Sequence, residues 1–86
     1  MSHAEIIARA RRLQEFYADP AVQSLFAELA AANHNAWLAA KSTDEREMAW
    51  AQATMLAALQ SRMKVHIARG EVAKVELGRP AAPGQQ

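Results

Sequence analysis

The sequence predicts an all-α fold, an antiparallel hairpin of two long helices preceded by a third. Three observations predict it. Long amphipathic runs lie on both sides of Lys41-Ser42-Thr43-Asp44-Glu45. Within that break, Ser42 followed three residues later by Glu45 reads as a capping box, which restarts a helix after a tight turn. Helices joined by so short a connection fold back antiparallel. Finally, the chain has only three glycines and three prolines in 86 residues. They concentrate from Gly78 onward, so the part before has little material for β-turns.

The first helix is expected over about His3–Ala18, with Ser2 and Glu5 as its capping box. Ile6, Ala10, Leu13 and Tyr17 follow helical spacing, and Ile7 and Phe16 widen the stripe. Asp19-Pro20 marks a boundary. Asp19 suits the cap of the next helix, and Pro20 suits its first position, where no backbone donor is needed. Pro20 also disfavours helical geometry at Asp19, so a bend is expected there. The second helix then runs to about Ala40 on an inner stripe of Val22, Leu25, Phe26, Leu29, Asn33, Ala36, Trp37 and Ala40.

The third helix is expected from about Thr43 to Arg69, with Gly70 as its C-terminal stop. Asp44, Glu45 and Glu47 lie at its positive end; Arg62, Lys64 and Arg69 lie toward its negative end, an order that suits the helix dipole. Val72–Leu77 forms a short helix or an extended arm. Residues 1–77 make one helical domain, and 78–86, with Arg79-Pro80-Ala81-Ala82-Pro83-Gly84, read as a disordered tail.

Composition narrows the function classes. Hydrophobic residues make up 51% of the chain but aromatics only 6%, and much of the apolar count is alanine. Alanine forms helices well and buries little surface. A core this thin leaves a short chain near marginal stability. There are no cysteines, hence no disulfide and no Cys-based zinc site. Self-association or a partner is the remaining common source of stability. The formal net charge is +1, from ten basic and nine acidic residues, so nucleic-acid binding is not expected; such proteins usually carry a strongly basic face. The start of the chain lacks the apolar core of a signal peptide, and no apolar run approaches a membrane span. The expected location is the cytoplasm at synthesis.

No catalytic motif is present. A nucleophile, base and orienting acid cannot be assembled, there is no phosphate-binding glycine loop, and neither His34 nor His66 has the helical partner spacing of a metal site. Neither enzymatic activity, a metal nor a cofactor is expected. The histidines read as capping or surface residues, with His66 set near Asp19. Arg9, Arg11 and Arg12 form a solvated face or a contact for phosphate or an acidic partner.

The third helix is apolar on more than one side. Met48, Met55, Leu56, Leu59 and Met63 face the hairpin, while Trp50, Ala57 and Val65 point elsewhere. A helix apolar on two sides is buried on two sides, either by the first helix or by another protein. The hairpin register sets Trp37 beside Met48, Phe26 beside Leu59, and Asn33 beside Gln52. That last pair is either a buried polar layer that fixes register or a pair with one member turned to solvent. The overhang near Met63–Ile67 needs cover from the first helix, Val72–Leu77 or another subunit.

From Leu13 to Leu77 the order of motifs resembles a family of small phage and prophage proteins. The motifs are Asp19-Pro20-Ala21-Val22, Leu25-Phe26 with Leu29, Ala36-Trp37, Asp44-Glu45-Arg46-Glu47, Trp50, Met63-Lys64-Val65-His66-Ile67 and Gly70-Glu71-Val72-Ala73. Members often carry an aromatic where this chain has Asn33 or His34. The resemblance implies a phage origin among head and packaging genes, and supplies no catalytic residues. The expected function is docking on a virion or assembly component, as an oligomer, through Trp50, Leu56, Met63 and Ile67. The expected partner is a phage structural protein or the chain itself, and the expected place is the host cytoplasm at synthesis, with the virion as a further one. An alternative is a nucleic-acid-binding packaging component similar to a small terminase subunit, using Arg9, Arg12, Arg62, Lys64 and Arg69. A third is an inhibitor of a host defence complex.

Overall fold

The computed structural model describes residues 1–79 and contains three helices: α1 (His3–Ala18), α2 (Pro20–Ala39) and α3 (Thr43–Gly78). No strand occurs among the described residues. Each helix starts on the cap its sequence provides. The Glu5 amide donates to the Ser2 hydroxyl at 3.2 Å, the Ala21 amide to Asp19 Oδ1 at 2.8 Å, and the Glu45 amide to Ser42 Oγ at 3.1 Å. The Glu45 carboxylate reaches back over the turn and accepts from the Lys41 amide at 2.6 Å. Asp19 is extended (φ −62°, ψ 125°), which makes the bend between α1 and α2.

The third helix departs from expectation. It does not stop at Arg69 but runs unbroken through Gly70 to Gly78, 36 residues in all. Val72–Leu77 is therefore neither a separate helix nor an arm. Gly70 has another role: it is buried against α1, and a Cβ built there would lie 2.2 Å from the Ala10 Cβ. The missing side chain lets two helices approach closely rather than ending one. As a consequence Arg62, Lys64 and Arg69 lie in the helix interior, and the last turn has no basic residue to meet the dipole. The tail expected from Gly78 falls, beyond Arg79, outside the described residues.

α1 and α2, 16 and 20 residues long, lie end to end along the 36 residues of α3. The contacts step regularly down the long helix. His3 meets Glu76, Arg9 meets His66, and Lys64 sits over the Tyr17 ring. Then Leu29 shares a groove with Met55, and Trp37 shares a cleft with Trp50. α2 and α3 are thus the antiparallel pair the short turn dictates, and α1 covers the overhang around Met63 and Ile67. The result is a rod, 68 × 26 × 16 Å, with a radius of gyration of 19.2 Å. A compact domain of this length would have about 12 Å.

The core is thin. Its buried apolar residues are Ala10, Phe26, Ala49, Met63 and Ala73. Along α3 the seam repeats every seventh residue: Ala49 and Met63 are buried, Leu56 between them is half-buried, and Gly70 follows. Such a repeat keeps one line of a helix against its neighbours, as in a coiled coil. Tyr17 and Phe26 close the α1–α2 junction with rings 6.1 Å apart. Much of the expected inner stripe stays in solvent, including Phe16, Leu25, Leu29, Met48, Met55 and Leu59. Two layers of alanine-rich helix cannot cover long side chains that lie beside the seam rather than on it. The polar pair resolves on its open side: Asn33 is half-buried and Gln52 exposed, both lining one groove.

Candidate functional site

The two long helices leave a cleft of about 320 Å³ along one side of the hairpin. Trp37 and His34 border it from α2, Trp50, Ala57 and Gln60 from α3, and Leu56 lies toward the seam. Helix spacing puts these residues in place: Trp50 and Ala57 are seven apart, as are Ala53 and Gln60, and His34 and Trp37 lie one turn apart. Trp50 is 63% exposed and Trp37 45%. The lining holds no Asp, Glu, Lys or Arg. It is an apolar, aromatic-edged surface with His34, Asn33 and Gln60 as its polar points.

Of the four residues expected to bind a partner, two belong to this cleft, Trp50 and Leu56. Met63 does not: it is buried in the protein's own core, 6% exposed. Ile67 is half-buried in the half of α3 that α1 covers. Both were expected at an interface because the overhang looked uncovered, and α1 supplies the cover. Trp37 and His34 were read as core and surface, respectively. Their sequence signal is only the hairpin register, which sets Trp37 beside Met48, two residues from Trp50.

The second cluster is basic. Nη2 of Arg9, on α1, lies 2.8 Å from both Nδ1 and Nε2 of His66, on α3. Partial burial first, then the positive charges of Arg9, Arg69 and Arg62, hold His66 below its ordinary pKa, so the ring is neutral at pH 7. This corrects the expected pairing of His66 with Asp19, whose carboxylate caps α2 instead. Of the basic residues named for nucleic acid, Arg9, Arg62 and Arg69 therefore gather in one place. Lys64 turns to the Tyr17 ring, its Nζ 5.9 Å from the centroid, and Arg12 is exposed on α1.

Ion pairs among the described residues are His3–Glu76 at 2.7 Å and Lys74–Glu71 at 3.1 Å, both exposed. No group of three His, Asp or Glu side chains among them could hold a metal ion. No helix among them is long and apolar enough to cross a membrane. Comparison of the chain with family models, curated proteins and solved structures gives no match in any of the three.

Proposed function

We propose that this is a small phage assembly or interaction protein, not an enzyme, that docks on a virion or assembly component through the Trp37–Trp50 cleft. One observation supports the reading above the others. Two tryptophans, 45% and 63% exposed, border an uncharged groove on an elongated molecule. Aromatic anchors at the centre of an apolar patch carry a large share of binding energy at protein interfaces. The phage assignment comes from the motif order in the sequence.

The test is co-expression with proteins encoded beside its gene, followed by capture with and without nuclease. A head or assembly protein should remain bound after nuclease treatment and be lost with Trp50→Glu. Capture of none of them, or capture indifferent to Trp50→Glu, overturns the reading.

The packaging alternative draws on the gathering of Arg9, Arg62 and Arg69 around His66. With a net charge of +1, labelled duplex DNA at moderate salt should give no complex tighter than about micromolar, the non-specific range. A tight, sequence-selective complex would put that alternative first.

A further inference from the structure

The hairpin has a second uncovered apolar face, on the other side of the seam from the tryptophan cleft. On α3, Met48, Met55 and Leu59 stand on one line, seven and four residues apart, and are 63%, 70% and 53% exposed. On α2, Leu25 and Leu29 stand one turn apart beside them. One groove joins Leu29 to Met55 and a second joins Ala36 to Met48; Gln52 lines both, so the face is continuous. Further along α3 the same line reaches His66 and Ala73, where α1 packs over it. The face opens where α1 ends.

Charge marks its two ends. Asp44 and Glu45 line the groove at the turn. Arg62 lies one turn beyond Leu59, with Arg9 and Arg69 next to it around His66. None of these acids or arginines takes part in an ion pair among the described residues.

We propose that a second copy of the chain covers this face. The copies stack antiparallel about a two-fold axis, so that two hairpins form a four-helix bundle. An axis between Ala53 and Thr54 sets Met48 opposite Leu59 of the second copy and Met55 beside its Gln52. It also brings Glu45, with Asp44 next to it, to Arg62 of the second copy. The two-fold repeats that contact at the other end, so both acidic turns meet both arginine clusters. Along α2 the same axis lays Leu25 near Ala36 and Leu29 near Ala32 of the second copy, large against small. Parallel stacking would put acid on acid and arginine on arginine.

The surface area fits this occupant. The chain exposes 6651 Å², where a compact protein of its mass would expose about 5,000 Å². A standard interface, about 800 Å² per partner, removes roughly half of that excess. The inference is independent of the partner reading, which uses the opposite face.

Light scattering at micromolar concentration should give about twice the 9.4 kDa chain mass. Met55→Glu and Leu59→Glu, at exposed positions, should each return the mass to one chain with helical circular dichroism kept. Trp50→Glu should leave it doubled. Arg62→Glu alone should weaken association about tenfold or more, since it sets like charges together at both ends, and Asp44→Arg alone should weaken it less, because Glu45 still meets Arg62. Mixed in equal amounts, these two variants should associate more tightly than either alone, because one end then keeps its acid–arginine contact and the other no longer sets two arginines together. A wild-type monomer at 100 micromolar (roughly the upper range of ordinary association) overturns the proposal. So does a dimer that Met55→Glu and Leu59→Glu leave intact, or a mixture of charge variants that pairs no better than either alone.

Discussion

At the scale of the residue, Gly70 decides how α1 meets α3. In an exposed helix, replacing glycine with alanine stabilises by about 1 kcal/mol. Here the new methyl would fall 2.2 Å from the Ala10 Cβ. Overpacking of this kind costs about 1–3 kcal/mol, so strain outweighs propensity. Gly70→Ala should lower stability by about 1 kcal/mol, about 4–8 °C in Tm for a domain of this size. The Ala10→Gly, Gly70→Ala double variant should be more stable than the sum of its single effects predicts, because the two methyls no longer collide. An additive result, or a stabilised single variant, would show that the helices do not touch at this point. The sequence alone misled at this residue. A glycine after a run of helix, followed by a charged residue, looks the same whether it ends the helix or admits a neighbour. Only the residue across the gap tells the two apart, and Ala10 is sixty residues away in the chain.

At the scale of the element, the capped starts were legible because a cap is local chemistry. Ser2, Asp19 and Ser42 each bond within three residues of themselves. The end of α3 was not legible because its main supports are distant in the chain: residues 71–78 continue the helix with Ala73 buried under α1 and Glu76 bonded to His3, and the local support is the exposed Lys74–Glu71 pair. The exposed His3–Glu76 pair contributes little by itself, so Ala73 and the Gly70 approach matter more. A chain ending at Arg69 should therefore lose more helix than the nine residues of α3 it lacks. The N-terminal half of α1 would lose most of the surface it packs on and would fray, since short isolated helices are marginal in water. Circular dichroism should show this extra loss and proteolysis should cut before Leu13. A loss confined to the deleted residues would mean that α1 holds its place without them. Met63 and Ile67 were expected at an interface for the same reason that the helix was expected to end at Arg69. Met63 and Ile67 looked uncovered while α1 had no assigned place, whereas Trp50 stands too far along α3 for α1 to reach.

At the scale of the molecule, the rod has unequal halves. Where α1 lies on α3, Ala10, Met63, Gly70 and Ala73 are buried along one continuous contact. Where α2 lies on α3, only Phe26 and Ala49 are buried, and the large side chains flank the seam in solvent. Local opening costs least where few apolar contacts would be broken. Amide hydrogen exchange in dilute protein should therefore be faster across Ala27–Ala39 and Thr43–Ala58 than across Ile6–Tyr17 and Met63–Ala73. Raising the concentration should slow exchange in the hairpin half and leave the α1 half nearly unchanged, because a ligand that binds only the folded form protects what it covers. Protection that rises equally in both halves would place the association over the whole rod. Protection independent of concentration would leave the weak half as a property of the single chain, and its apolar faces free for the partner alone.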